Sequence, residues 1–406
     1  MTLTSDDHYT IITADSHAGG SHAQYREYLD AEYRDEFDAW RNEYRNPFKD
    51  LKDDRRQRNW ETERRWNEQQ SDGVVAEVLF PNTVPPFFPS FVLFAQPPKP
   101  EDYQHRLAGI RAHNRWLVDF VNEAPQRRAG IGQIFLNDID DAIADATWIK
   151  EHGLRGGVLI PNIAPDVKWV KPLYDPEYDR LWNVLEDLEI PINVHGGTGA
   201  PDYGNYPFSM ILYINEVSFY SQRPFVQFVL SGIFARFPAL KFVMTETGCS
   251  WVPDLLARLD QMIVQIRDTG ATGEIRYRQG DTLSLTATEC FQRNVWMGVS
   301  QPGPLDVAAR HVMGTDRFMW GNDYPHDEGT YPFTRENLRA LFHDTDPIEL
   351  QKLLAGNAAQ LYDFDLAQLA PLAAQFGPTV GEISEPLVTM PDKPNDALVR
   401  ASGGRR

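Results

Sequence analysis

Cysteine is nearly missing from this 406-residue chain, which has only Cys249 and Cys290. Two thiols cannot build a disulfide framework or a cysteine-ligated structural zinc site. Basic residues are also scarce. Lys and Arg number 39 against 58 Asp and Glu, a formal charge of −19, so nucleic acid, which wants a basic surface, is not an expected partner. No uncharged apolar run approaches the length of a membrane span. The first residues show neither the basic stretch nor the apolar stretch of a signal peptide. No membrane partner is expected, and a reducing cytoplasm is the expected location. There is no internal repeat and no low-complexity tract.

What is present is a rhythm of short apolar runs. Eight recur, at residues 10–14, 74–80, 129–135, 157–160, 191–195, 241–246, 295–299 and 318–323. They are rich in β-branched residues and continuously apolar, as strands buried on both faces are. Helical patterns separate them, at 103–123, 138–152, 176–188, 211–235, 253–267, 304–311 and 334–355. Eight strands alternating with helices predict an α/β fold, a (β/α)8 TIM barrel, over residues 1–368. Residues 18–73 form a long insertion after the first strand, expected to make helices or a cap beside the barrel mouth. Residues 369–406 form a C-terminal tail, expected to wrap the barrel or a partner and to be disordered at its end.

Four of the runs end in residues that bind metals. The first leads into Thr13-Ala14-Asp15-Ser16-His17, where Asp15 and His17, two apart on an extended strand, point to one side. The fifth ends at His195, followed by Gly196-Gly197-Thr198-Gly199, a loop that lets a ligand approach the backbone. The sixth ends at Glu246. A carboxylate at the end of a buried strand needs a partner, which a metal or an arginine supplies. The eighth ends at Asp323 in Gly321-Asn322-Asp323-Tyr324-Pro325-His326. Asp323 can bind a metal and take a proton from metal-bound water. His326 can orient it or hold a second ion. In a parallel barrel all C-terminal strand ends meet on one face, so these residues converge. The other histidines, at 8, 22, 105, 113, 152, 311 and 343, fall at the terminus, in the insertion or on helices. Cys249, with no basic neighbour in sequence, reads as packing.

These motifs, with Gly356-Asn357-Ala358-Ala359 after the last helix, resemble the amidohydrolase-related family of the amidohydrolase superfamily, in its branch of aminocarboxymuconate semialdehyde and γ-resorcylate decarboxylases. The resemblance runs from about Thr10 to Phe364. It implies a barrel around a divalent ion, zinc or manganese, with Asp15, His17, His195 and Asp323 as ligands. It also implies a hydrolase or carboxy-lyase acting on a small molecule, and a homodimer. One departure stands out. The family places a catalytic His after strand six, where this chain has Glu246. Glu246 then acts as a general acid/base with Asp323 and His326, or bridges a second ion. The latter resembles a branch of nonheme diiron monooxygenases acting on CoA-linked terpenoid acids. One or two ions of zinc, manganese or iron are therefore expected. The loop Val84-Pro85-Pro86-Phe87-Phe88-Pro89-Ser90-Phe91, with Trp251, is expected to line an apolar pocket for an aromatic or apolar substrate.

Overall fold

Eight parallel strands form one sheet in sequential order in the computed structural model, which describes residues 3–45, 54–277 and 283–404. They are β1 (Ile12–Ala18), β2 (Ala76–Pro81), β3 (Arg128–Gln133), β4 (Gly157–Leu159), β5 (Ile192–His195), β6 (Phe242–Thr245), β7 (Val295–Ser300) and β8 (Phe318–Gly321). The ring closes where β8 runs into β1: Asp323 N donates to Asp15 O at 2.9 Å, and His17 N donates to Tyr324 O at 2.7 Å. The (β/α)8 TIM barrel expected from the sequence is the fold observed. All but one of the residues in these strands are buried, as continuous apolar runs require.

The barrel interior holds small and branched side chains, among them Ile12, Ala76, Val78, Ala129, Ile131, Leu159, Val243 and Met319. The outer layer packs helices on the strands through residues such as Trp116, Trp182, Phe228 and Phe242.

Several boundaries differ from the sequence reading. The first strand extends past residue 14 to Ala18, so Asp15 and His17 lie within it. Its register with β2 shifts between Thr13 and Ser16, a bulge that puts an extra residue at this point. The single helix expected over 211–235 is three, Ser209–Ser221, Arg223–Leu230 and Ile233–Arg236. Pro224 restarts one of them, and Gly232, at φ 73°, turns into the next. The helix expected over 334–355 stops at Phe342 and restarts at Pro347, where Asp346 caps the new first turn. A two-stranded hairpin, Ala271–Thr272 with Ile275–Arg276, went unread because its strands are too short to show a period.

The insertion after β1 carries helices His22–Tyr28, Arg34–Glu43 and Thr62–Ser71; its residues 46–53 lie outside the described residues. The last of these helices is a structural part of the barrel. Arg65, Glu77 and Arg128 are all fully buried. Arg65 Nη2 meets Glu77 Oε2 at 2.6 Å, and Arg128 Nε meets Glu77 Oε1 at 3.3 Å. Gln69 Nε2 and Ser16 Oγ also donate to Glu77. Two cations and two neutral donors thus satisfy one buried carboxylate, the condition under which such a charge is tolerated. The tail carries helices Leu366–Phe376, Val380–Ser384 and Asp396–Ala401, while residues 405–406 lie outside the described residues. No described helix is long and apolar enough to cross a membrane.

Candidate metal centre

The barrel brings Asp15, His17, His195, Glu246 and Asp323 to one point. His17 Nε2 lies 3.3 Å from Asp15 Oδ1 and 3.2 Å from Asp323 Oδ1, and His195 Nε2 lies 3.5 Å from Asp15 Oδ1. Asp15, His17 and Asp323 are fully buried, and His195 nearly so. Local backbone explains the convergence. Glu246 and Asp323, at φ 54° and 57°, occupy the left-handed region directly after or near their strand ends, and Gln301 does so at φ 44°. Side chains there cost strain that the surrounding structure has to hold. Gly321 lets β8 approach β1, since a Cβ there would fall 2.8 Å from Asp15 Cβ.

Each imidazole is oriented by its other nitrogen. His17 Nδ1 faces Pro81 O at 3.3 Å, and His195 Nδ1 faces Gly196 O at 2.9 Å. Ser300 Oγ donates to Asp15 Oδ2, and Gln301 Nε2 donates to Asp323 Oδ2. His326 Nδ1 donates to Asp323 Oδ1 at 2.8 Å, and its Nε2 donates to Asn82 Oδ1 at 3.0 Å. Such outer contacts fix ligand orientation in metal sites.

The donor set fits a divalent ion. Asp15 Oδ1, His17 Nε2 and His195 Nε2 are buried with no hydrogen-bond partner, all aimed at one point. Metal bonds of about 2.1 Å place tetrahedral ligand atoms about 3.4 Å apart, the spacing found here. Two carboxylates with two imidazoles suit zinc or manganese. Asp15, His17, His195 and Glu246 each offer a ligand atom within 4.8 Å of one another, and so do Glu246, Asp323 and Glu328.

Charge in the cluster is uneven. Burial alone would raise the Asp15 carboxyl, but His17 and His195 hold it well below the usual range. Burial opposes charge on His17, yet Asp15 and Asp323 raise it to about 10. Without a metal the carboxylates thus demand a proton in the same place. Burial also opposes charge on His326, and Asp323 overcomes it, to about 9. Glu246 goes the other way: burial first, then the charges of Asp323 and Asp15, push its carboxyl well above the usual range. Its side chain is 28% exposed, the open member of the group, 3.4 Å from His195 Nδ1.

Sequence reasoning missed Ser300, Gln301, Asn82 and Glu328. Ser300 and Gln301 follow the seventh apolar run directly, so the strand-end rule that found the others reaches them too. Asn82 follows the second run at the same distance as Gln301 follows the seventh, whereas Glu328, five residues past the eighth run, had no such signal. Cys249 is buried, with its Sγ against Asp306 O at 3.3 Å, and burial raises its thiol. The sequence reading put Trp251 in the wall of an apolar pocket; in the structure it does not line the cavity beside this centre, and its Nε1 donates instead to Thr247 O and Gly248 O. Phe88 does line it.

The structure is similar to solved decarboxylases of low sequence identity. A 5-carboxyvanillate decarboxylase from Novosphingobium aromaticivorans, complexed with manganese and 4-hydroxy-3-methoxy-5-nitrobenzoic acid, is 18% identical with a TM-score of 0.65, over 89% of this chain and 98% of that one. The 5-carboxyvanillate decarboxylase of Sphingomonas paucimobilis is 20% identical at a TM-score of 0.63, over 88% and 100%. A dihydroxybenzoic acid decarboxylase from Polaromonas sp. JS666, with manganese and 2-nitroresorcinol, is 16% identical at 0.58, over 87% and 97%. At these identities the likeness is one of fold. These structures lend no support to the diiron oxygenase reading. The amidohydrolase family model matches residues 62–364, about three quarters of the sequence, and the chain belongs to that family.

Proposed function

We propose that this chain is a metal-dependent carboxy-lyase that removes CO₂ from a small aromatic carboxylate, with Asp15, His17, His195 and Asp323 as metal ligands. The observation that carries the choice of lyase over hydrolase is the contrast between two carboxyls. Asp323 is held on both oxygens: Oδ1 accepts from His326, and Oδ2 accepts from Gln301. A base so occupied is poorly placed to shuttle a water proton. Glu246 is exposed at its edge and burial favours its protonated form. It is a proton donor at the mouth of the site, and this is what replacement of a carboxylate by hydrogen needs.

A bound divalent ion would supply positive charge to hold the substrate's oxygens and stabilise charge that develops on them. Glu246 gives its proton to the ring carbon that bears the carboxylate, and ring electrons form the new C–H bond. The C–C bond to the carboxylate then breaks, its electrons return to the ring, and CO₂ leaves. Glu246, left as carboxylate, takes a proton from water through its exposed edge. Neutralising Asp15 and Asp323 with a metal removes their part of the Glu246 shift but not burial, its largest cause. His326 acts by positioning Asp323. A homodimer completes the proposal; a sedimentation mass of one chain would remove that part.

The test is CO₂ release by manganese-loaded protein from a panel that includes 2,6-dihydroxybenzoate and 5-carboxyvanillate, run in deuterated water. Deuterium at the vacated carbon is expected. Hydrolysis of aromatic esters or amides with no CO₂ from any acid would overturn the reading.

A further inference from the structure

A cavity of about 370 Å³ opens over the ends of β3, β4 and β5. None of Asp15, His17, His195, Glu246 and Asp323 lines it. The two spaces adjoin all the same. Gly197 and Thr198, just past His195, form part of the cavity wall. Leu93 lines it too and packs in the same cluster as Phe80, whose ring centroid lies 4.6 Å from that of His195. Tyr213 is a further lining residue, and its phenol is pushed up by burial first and then by the charge of Glu246. The cavity is therefore room for a part of the substrate that does not react, next to the groups that do the chemistry.

Much of the wall is apolar, from Phe88, Leu93, Phe135, Leu159, Ile160 and Ala164. Its hydroxyls are taken within the protein. Tyr213 donates to Gly197 O at 2.8 Å, Tyr203 to Glu216 Oε2 at 2.6 Å, Ser209 to Tyr203 O at 3.1 Å and Thr198 to His195 O at 2.9 Å. Two lining residues carry charge, Arg106 and Asp202. The Arg106 guanidinium lies 4.2 Å from the ring centroid of Phe88 and 5.5 Å from that of Phe135. Its Nη1 donates to Gln96 O at 2.8 Å, and its Nε is buried. Asp202 is exposed, and its Oδ1 accepts from Gly204 N at 2.8 Å. Both amide atoms of Gln133 and Oδ1 of Asn162 are likewise buried, behind the wall and out of a ligand's reach. The apolar surface continues outward from the cavity. Phe94 and Met210 line it and are 48% and 65% exposed, and Tyr206 and Phe208, close to Met210 in sequence, are exposed as well. A contiguous apolar patch of this kind marks a place where an apolar ligand or partner is met.

A charged or hydrogen-bonding group seated here would give up water for few partners, which is costly. An apolar group would leave water for a wall that matches it, which is favourable. Pockets of about 300–1,000 Å³ enclose small organic ligands, and this cavity falls in that range without counting the metal centre. We infer that the cavity binds an apolar arm of the substrate: an alkyl or aryl group, uncharged at its end, carried on the aromatic acid whose carboxylate lies at the metal centre. Phe135, Leu159 and Ala164 set how long an arm fits. Binding of the arm, remote from the reacting carbon, holds the ring in place for the proton transfer. This inference rests on the carboxy-lyase reading and narrows its substrate to alkyl- or aryl-substituted aromatic acids.

The test uses the full chain as purified and neutral probes, so that it does not depend on turnover. Calorimetric affinities are measured for two series, the 3-alkylphenols and the 4-alkylphenols, each from methyl to hexyl. In at least one series affinity should rise about fourfold per added methylene, as burial of one CH₂ gives, and level off once the cavity is full. The same chain ending in a carboxylate should bind tenfold or more weaker than its methyl-ended counterpart. Ala164→Phe fills the cavity from its wall and should hold every member within about twofold of the methyl one, since no further CH₂ is then buried. Ala95→Trp, at a partly buried lining position, should do the same and covers the case of an Ala164 variant that does not fold. Affinity that stays flat along both series overturns the arm. So does a carboxylate-ended chain bound as tightly as the methyl-ended one, or a rise that survives every folded variant. A rise that the variants abolish, in a protein that releases no CO₂ from any acid, alkyl-substituted ones included, would leave the apolar pocket standing and the lyase reading overturned.

Discussion

Glu246 and Asp323 are two carboxyls of one cluster with opposite tendencies, and the difference lies in their partners. Asp323 accepts from the His326 imidazole and the Gln301 amide, whereas Glu246 lies against the edge of His195. Glu246→Gln keeps size and shape but removes the proton. It should lower kcat at least a hundredfold while metal content per chain stays near the wild-type value, read by CO₂ release and elemental analysis. A fall in both together would make Glu246 a ligand and not an acid. The candidate ligands were legible in the sequence because each stands in or just after an apolar strand, and barrel geometry gathers strand ends. The contribution of Gln301 was not, because a glutamine after a strand has no chemistry of its own until Asp323 is placed beside it. The same holds for the cavity. Arg106 sits on a helix, Gln133 ends a strand and Asn162 follows one, and no spacing links them before the chain is folded.

At the scale of the element, the helix Thr62–Ser71 locks β1 to β2 and β3. Arg65 also donates from Nη1 to His17 O at 2.7 Å, so it holds a candidate metal ligand by its backbone. Arg65→Met strips one cation from buried Glu77 and should cost about 3 kcal/mol in denaturant unfolding. Pairing it with Glu77→Leu should recover much of that loss. A single variant as stable as wild type would contradict the network. The charge-rich composition of 18–73 gave no sign of this role, since buried and solvated arginines look alike in a sequence.

Asp72 supplies a pH test at the same scale. It accepts from Thr334 N at 3.1 Å at the start of helix Thr334–Phe342, and burial pushes it from 3.8 to about 7. A folded pKa above the unfolded one means the group's stabilisation is full below 3.8 and lost as pH rises through about 7. Asp72→Asn, which keeps the acceptor without the charge, should raise the melting temperature by about 2 °C at pH 8 and leave it unchanged at pH 4. An equal effect at both pH values would rule out the titration.

Across the whole molecule, the far end of the chain reaches the site. Asn395 Nδ2 donates to Gly329 O at 2.8 Å, which ties the tail to the loop that carries His326 and Glu328. Arg400 Nη1 donates to Gln301 Oε1 at 3.1 Å, and Gln301 in turn holds Asp323. Arg400→Met should therefore weaken metal binding by about tenfold, the range for loss of outer contacts, with the melting temperature of metal-free protein little changed. Fold class was legible because eight apolar runs separated by helices have one simple solution. The path of the tail was not, because residues after 368 show only short, weakly patterned helices whose place depends on surfaces the barrel creates.

Asp15, His17, His195 and Asp323 are proposed to hold one divalent ion. The decisive measurement is elemental analysis of protein purified without added metal, beside a His195→Ala variant of unchanged circular dichroism. About one manganese or zinc per chain in the wild type, and less than a tenth of that in the variant, is the predicted result. Two irons per chain, or metal retained in full by His195→Ala, would contradict it.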